Sequence, residues 1–447
     1  MNRLIPSGQR WVVVAAACGG LLIGHGTLGQ QPQAERFEFV LAAQLAGPRG
    51  QHAPVRELSD QPVEVRAADY TPSYARRTLV PLMQRSVAVG DVDGNGIQDL
   101  YLPGAGRPDL LLQGIRNGRF RDITDSARAA GSEGSVSAAF SDYDHSGRQS
   151  LFIAGTEGIT LYRNNGNNSF SEATRKAGLP STTVVLCTSV ALGDLDGDGF
   201  PDLVVAAYTD LNHPPLKSVF TFPNDFPGAA SRLYRNNGNG TFTDVTESSG
   251  LGKNPGRARK TIFADFNNDQ RLDILLLRDD KPPVLYLNRG GWKFEDTTWD
   301  AGDDLTTHAF FEAAVTDFNR DGKTDLALWS THSFRVLVNQ GNGTFERSDS
   351  TPMPEPAISL FGFRGAVADL DDDGFDDVMT VDRDGRLRAF ANQAGVFHEV
   401  SMVLPQGFEG GYVASFPRRG SRSTYLLSIQ PDGRIALLAS KADRSSR

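Results

Sequence analysis

Cysteine is nearly missing from this sequence: Cys18 and Cys187 are the only two in 447 residues. One pair cannot build a disulfide framework. Cys187 lies in the apolar run Val184-Val185-Leu186-Cys187, where an inert core thiol is expected. Histidine is sparse too, with seven scattered residues and no HExxH or other i, i+4 pair, which argues against a zinc hydrolase. There is no G-x-S-x-G elbow and no phosphate-cradling glycine loop. Basic charge is in deficit, 45 Lys+Arg against 54 Asp+Glu for a net charge of −9, and this disfavours a nucleic-acid partner. No apolar run approaches the roughly 20 residues that span a bilayer.

The longest such run, Trp11 to Ile23, follows Arg3 and Arg10 and precedes the small and polar stretch Gly26-Thr27-Leu28-Gly29-Gln30. That order describes a signal peptide over residues 1–29, and hence an exported protein with no transmembrane span in the mature chain. The alternatives are an uncleaved anchor or a lipoprotein processed at Cys18, for which Ala15-Ala16-Ala17 lacks the usual bulky aliphatic residue. Residues 30–80 carry two strand-like patches, Arg36–Val40 and Pro62–Arg66.

What is abundant is acid at fixed spacing. Six nine-residue phrases begin at Asp91 (DVDGNGIQD), Asp142 (DYDHSGRQS), Asp194 (DLDGDGFPD), Asp265 (DFNNDQRLD), Asp317 (DFNRDGKTD) and Asp369 (DLDDDGFDD). Oxygen side chains alternate along a tight turn, glycine at position 6 supplies the left-handed backbone, and the carbonyl of position 7 adds a further oxygen. A hard cation such as calcium takes six to eight of these. The expected ligand sets are Asp91, Asp93, Asn95, Ile97 and Asp99; Asp194, Asp196, Asp198, Phe200 and Asp202; Asp265, Asn267, Asp269, Arg271 and Asp273; Asp317, Asn319, Asp321, Lys323 and Asp325; and Asp369, Asp371, Asp373, Phe375 and Asp377. Gln270 in place of glycine should weaken the fourth loop. Asp142, Asp144 and Ser146 should bind weakly or not at all. About five calcium sites result.

The loops hold more than a third of the 54 acidic residues. Carboxylates crowded to within ~4–6 Å raise one another's pKa unless a cation intervenes, so plain Asp/Gly turns are a poor explanation. Much of the net negative charge is then a counter-charge for metal.

The phrases recur with a period of about 50 residues, the signature of a repeat architecture. Each period reads as an apolar strand, the acidic loop, a second apolar strand, a third strand ending in Asn-Gly, and an aromatic fourth strand, as in Leu233-Tyr234-Arg235-Asn236-Asn237-Gly238-Asn239-Gly240-Thr241-Phe242. Four short strands per unit describe a propeller blade. The expected fold is all-β: a seven-bladed β-propeller of four-stranded antiparallel blades over residues 81–440, with a disordered tail at 441–447. The seventh unit, near Ser415, has lost its acidic positions and shows three strands. An N-terminal strand at Pro62–Arg66 is expected to complete it and close the ring.

These loops, together with the LYRNNGNGTF…DVT…GL phrase, resemble the FG-GAP/VCBS-type repeats of integrin-like propellers, and especially the bacterial relatives of cartilage acidic protein. The resemblance covers residues 80–405 well and 406–440 poorly. It implies calcium in the loop between a blade's first two strands and a role in extracellular adhesion or scaffolding. Functions tied to the additional domains of some relatives do not carry over.

The candidate ligand face lies opposite the acidic loops. An insertion from Thr209 to Ala230 separates the second and third strands of the Asp194 blade, too long for an idle connection. With its neighbours it offers Tyr208, His213, Lys217, Phe220, Phe222, Phe226, Arg257, Arg259 and Lys260. These read either as a rim for an extracytoplasmic protein or glycan, or as a lid packed on the propeller. The favoured function is a binding, adhesion or scaffold module with structural calcium and no enzyme activity. The alternatives are a lyase-like polysaccharide-degrading enzyme using Tyr208, His213 and Lys217, and a subunit of an envelope complex.

Overall fold

The computed structural model describes residues 36–45, 63–80, 86–105, 108–115, 119–132, 134–180, 185–330, 334–348, 365–371, 373–381, 387–403, 412–417, 424–429 and 435–440. The signal peptide expected at 1–29 and the tail expected at 441–447 lie outside these residues.

Strands β1 (Arg36–Leu45) and β2 (Val63–Arg66) precede the repeats. The first sheet is β3 (Ala88–Gly90), β4 (Asp99–Leu102), β5 (Leu110–Ile115) and β6 (Arg119–Asp122). The second is β7 (Ser135–Ser141), β8 (Ser150–Gly155), β9 (Gly158–Gly166) and β10 (Ser169–Glu172). The third contains β11 (Val185–Gly193) and β12 (Asp202–Asp210), then, after the separate strand β13 (Val219–Phe222), β14 (Arg232–Asn236) and β15 (Phe242–Asp244). The fourth is β16 (Ala258–Ala264), β17 (Asp273–Arg278), β18 (Val284–Asn288) and β19 (Phe294–Asp296). The fifth is β20 (Glu312–Thr316), β21 (Asp325–Trp329), β22 (Phe334–Asn339) and β23 (Phe345–Arg347).

The remaining strands are β24 (Gly365–Ala368), β25 (Asp377–Val381), β26 (Leu387–Gln393), β27 (Val396–Val403), β28 (Tyr412–Pro417), β29 (Thr424–Ile429) and β30 (Ile435–Ser440). They form an eight-stranded sheet in the order β24-β25-β26-β27-β1-β30-β29-β28. The chain is thus an all-β propeller.

First strands of successive sheets touch one another, β3 on β7, β7 on β11, β11 on β16, β16 on β20 and β24 on β28. The core lies between blades. Phe152, Ile159 and Leu161 of the second sheet pack on Val190, Leu203 and Val205 of the third. Leu275, Leu277 and Leu285 of the fourth pack likewise on Leu326, Leu328 and Leu337 of the fifth. A second strand covered on both faces must be apolar throughout, which is why β12 reads Leu203-Val204-Val205-Ala206-Ala207-Tyr208 without alternation and is buried along that whole run. The fourth strands, at the rim, bury one aromatic each: Phe242, Phe294 and Phe345 are inside and the next two residues exposed.

The closing strand differs from expectation. Val63–Arg66 is a strand, but its partner is β13 of the insertion, Val63 opposite Phe222 and Arg66 opposite Val219. The strand beside β30 is β1, antiparallel from Phe39 opposite Ser440 to Leu45 opposite Ile435, and its first residues also run parallel to β27. The physical reason lies in length and pattern. A ten-residue strand can span two neighbours end to end, whereas the four-residue Val-Glu-Val-Arg run buries its central Val65 under the aromatic insertion.

Candidate metal centres

Each acidic phrase joins the first and second strands of a blade, and its side chains fold the loop before any ligand is considered. The first aspartate accepts the N–H of the sixth residue in all six loops, at 2.6–3.0 Å. In five loops the third residue's Oδ1 accepts the N–H of the fifth at 3.0–3.2 Å. The fifth residue in turn accepts the N–H of the seventh at 2.6–3.0 Å. The sixth position has φ between +69° and +92°, Gln270 included, so that loop pays the cost expected of a side chain there. The fourth position is also left-handed where described, at Gly94, His145, Gly197, Asn268 and Arg320. The sequence reading had assigned that geometry to position 6 alone.

The ninth position is a buried strut. Asp99, Asp202, Asp273, Asp325 and Asp377 are fully buried. One oxygen of each accepts the N–H of the loop's second residue at 2.7–3.0 Å. The other accepts an N–H of the blade's third strand at 2.6–2.9 Å. Burial raises these carboxyls more than their N–H bonds lower them: Asp99, Asp273 and Asp325 to about 6, Asp202 to about 8, and Asp377 well above the carboxylate range. In the second loop Ser150 Oγ takes the same N–H bond from Asn164, at 3.1 Å.

Three loops bring carboxylates together. One oxygen each from Asp91, Asp93 and Asp99 lie within 4.8 Å of one another, as do those of Asp194, Asp196 and Asp202 and those of Asp369, Asp371 and Asp377. Asp91 Oδ1 is buried without a hydrogen-bond partner, a costly state for a carboxylate oxygen unless a cation stands before it. This donor set suits calcium, with Asn95, Asp198 and Asp373 as the fifth-position oxygens. The ion would supply the charge that holds such carboxylates together.

The loops at Asp265 and Asp317 bring other partners to their fifth residues. Arg271 lies on Asp269, and Lys323 Nζ is 3.1 Å from Asp321 Oδ2. Burial works to raise the Asp321 carboxyl, but hydrogen bonds from the Lys323 ammonium and N–H hold it below its usual range. Asp144 is likewise lowered, against burial, by Ser146 and by Arg163 at 2.8 Å. Asp196, raised chiefly by burial, goes the other way.

An asparagine read from sequence only as turn chemistry couples the loops. At the end of the third strand in the second to sixth blades stands a buried Asn, at 164, 236, 288, 339 and 392. Its Nδ2 donates to the second-residue carbonyl of the preceding blade's loop in four cases: Asn164 to Val92, Asn236 to Tyr143, Asn288 to Leu195 and Asn392 to Phe318, at 2.7–2.9 Å. In these four the other amide hydrogen meets the eighth-residue carbonyl of its own loop. The signal in the sequence was Asn after Leu-Tyr-Arg or Leu-Tyr-Leu at 164, 236 and 288; at 339 and 392 the preceding residues differ.

The opposite face is largely closed. Phe220, Phe222 and Phe226 are buried with Tyr208, Val65, Leu79, Leu186 and Leu211, so the insertion packs as a lid. Tyr208 Oη donates to Asp279 at 2.6 Å. Arg257 Nε donates to the other oxygen of Asp279 at 2.7 Å, and its Nη1 reaches the lid carbonyl of Phe226 at 3.3 Å. Arg259 is buried 3.5 Å from Asp279 and Lys260 is paired with Glu312. His213 and Lys217 are exposed and paired with Asp210 and Asp225. Of the nine residues expected to form a ligand face, then, the three aromatics, Tyr208 and both arginines are interior. Tyr208, His213 and Lys217, the three residues of the lyase reading, each engage a different carboxylate. The buried Cys187 thiol is pushed up to about 12 by burial, as befits a core residue.

A family model for the FG-GAP-like repeat matches residues 142–205, 219–276, 265–328 and 317–380, about half of the chain. Cartilage acidic protein 1 of Mus musculus is 26% identical over 369 residues, covering 74% of this chain and 52% of that protein. The Homo sapiens protein is 25% identical over 370 residues, covering 74% and 51%. The chain thus spans about half the length of the curated relatives it matches. Among solved structures, the BP39L lectin from Burkholderia pseudomallei has a TM-score of 0.54 at 15% identity, covering 81% of this chain and 97% of that one. BBS1N in complex with ARL6DN scores 0.50 at 12% identity, covering 82% and 94%. These likenesses concern the fold.

Proposed function

The chain belongs to the FG-GAP-like repeat family, and from that premise we propose that it is an exported, calcium-braced binding module for a protein or glycan, with no catalytic role. The observation that carries the calcium reading is the convergence of three carboxylates in each of three loops, with Asp91 Oδ1 buried and unpartnered among them. Calcium would be structural. Every loop is folded by its own side chains onto a blade edge, and the ninth-position aspartates tie it there through backbone N–H groups while keeping lone pairs for an ion. A binding role is supported by a scaffold of repeated blades in which Tyr208, His213 and Lys217 are each taken up by a different carboxylate. We read the eight-stranded sheet as two four-stranded blades joined through β1, which makes seven blades and a closed ring. Export rests on the N-terminal sequence.

The decisive experiment is thermal unfolding of the mature chain in EDTA and across a calcium titration. A ligand that binds only the folded state stabilises by RT ln(1 + [L]/Kd) per site, so several sites should raise the midpoint strongly and magnesium should do so less. An unchanged midpoint would overturn the calcium reading. For the ligand, a glycan array and a pull-down from envelope extract would be run with and without calcium. Binding that survives Leu216→Ser and Trp299→Ala, at two exposed apolar residues of the face opposite the metal loops, would move the search to the calcium face.

A further inference from the structure

The six loops fall into two classes by the residue at position 7, and the structure gives the division a charge logic. In the Asp91, Asp194 and Asp369 loops that residue is Ile97, Phe200 or Phe375; in the Asp142, Asp265 and Asp317 loops it is Arg148, Arg271 or Lys323. The basic residues are held in place. Arg271 lies on the Asp269 carboxylate while its Nε donates to Asn288 O at 2.9 Å. Arg148 Nε makes the corresponding bond to Asn164 O at 3.2 Å, and Arg163 supplies a cation to Asp144 Oδ2, while Asp144 Oδ1 is buried without a hydrogen-bond partner, as Asp91 Oδ1 is. The Lys323 stem runs past Gly341, where a Cβ would come within 2.9 Å of it, to reach Asp321.

The same three loops have shed acid: Asn267 and Asn319 stand at position 3 of two, Ser146 and Ser150 at positions 5 and 9 of the third. At positions 1, 3, 5 and 9 the Asp91 loop keeps three carboxylates and the Asp194 and Asp369 loops four; the Asp265 and Asp317 loops also keep three, and what they lack is the acid at position 3. Arg235 stands 3.5 and 3.9 Å from Asp196 and Asp198, one cation against four acids. Arg320 lies over the Phe375 ring at 3.8 Å. A divalent ion and a resident guanidinium or ammonium compete for the same carboxylate oxygens.

We propose that Arg148 with Arg163, Arg271 and Lys323 are built-in counter-cations that take the place of a divalent ion in their loops, so that the chain binds calcium at the Asp91, Asp194 and Asp369 loops and holds the other three without it. The inference rests on the calcium reading above and corrects its expected count from about five ions to three. An apolar residue at position 7 marks an ion-dependent loop; a basic seventh residue, with Asn at position 3 or Ser at positions 5 and 9, marks a self-sufficient one.

The test is calcium stoichiometry of the metal-stripped full chain by equilibrium dialysis with elemental analysis, together with thermal midpoints in EDTA, for the wild type, Arg271→Met/Lys323→Met and Arg271→Lys/Lys323→Arg. Three ions on the wild type are expected. The methionine pair should lower the EDTA midpoint, recover it in calcium, and bind up to two further ions. The charge-keeping pair should match the wild type in both measurements. Five ions on the wild type would overturn the inference. So would a methionine pair with unchanged EDTA midpoint and stoichiometry, or a charge-keeping pair that falls as far as the methionine pair, which would mean packing and not charge holds these loops. No ion on the wild type would refute the calcium reading itself; the inference would then stand only if the methionine pair, and not the charge-keeping pair, lost stability in EDTA.

Discussion

Asp202 accepts two backbone N–H bonds in a site closed to water, and burial still leaves its carboxyl at about 8. With Asp99, Asp273 and Asp325 at about 6, this sets the pH dependence of the metal-free chain. The folded pKa values lie above the unfolded value of about 3.9, so between the two the folded state binds more protons than the unfolded one. The stability this contributes is fully present below about pH 4 and is lost as pH rises through about 6 and then about 8. In EDTA the midpoint should therefore fall steadily from about pH 5 to about pH 8.5. In calcium the trend should flatten or reverse, because the ion requires ionised carboxylates. A midpoint in EDTA that rises over this range would mean the struts are ionised in the folded chain, held there by their N–H bonds.

At the scale of the elements, the device that joins one blade's third strand to the preceding blade's loop is the buried asparagine. Asn288 is fully satisfied: Nδ2 donates to Leu195 and Leu272, Oδ1 accepts from Gly290, and its own N–H goes to Asp273. Asn288→Ala strands the buried carbonyl of Leu195, at roughly 1–3 kcal/mol, and the half-buried carbonyl of Leu272, at less. It should cost about 2 kcal/mol in a denaturant titration, and the deficit should persist in saturating calcium, since the lost bonds are not ligand bonds. A deficit that calcium abolishes would place the asparagine in the metal site's own economy instead. The blade itself was legible because its signals are local: the acidic phrase, the apolar second strand and the Asn-Gly hairpin each sit within a few residues. The asparagine staple was not, because its partner is a carbonyl some 70–90 residues away in sequence, and a carbonyl has no letter. The lid was half legible. Phe220, Phe222 and Phe226 announced an ordered loop, but aromatic residues look the same whether they face a ligand or Val65 and Leu79. The basic residues beside it were misread for the same reason, since Arg257 and Arg259 share Asp279, which comes later in the chain.

For the molecule as a whole, the question is which N-terminal strand completes the last sheet. Of the two N-terminal patches, Pro62–Arg66 was expected at the edge of β30, and Arg36–Leu45 takes that place instead. In register, β1 pairs with β30 over six residues and reaches β27 with its first three, while β2 lies on the lid strand β13. A strand edge left open presents a row of unpaired N–H and C=O groups that templates association, so the two patches predict different truncation phenotypes. A chain starting at residue 36 should unfold in one transition at the midpoint of the full mature chain. A chain starting at residue 46 should lose several degrees, because the β28–β30 unit loses its fourth strand and its link to β27 together. It should also show concentration-dependent association by light scattering, with both effects present in calcium because none of the acidic loops belongs to that unit. Val65→Ser in the otherwise intact chain supplies the contrast. It should loosen the lid, read as faster proteolysis between residues 209 and 230, without association. If the chain starting at 46 behaves like the one starting at 36, β1 is dispensable, and the last sheet is held by inter-blade packing alone.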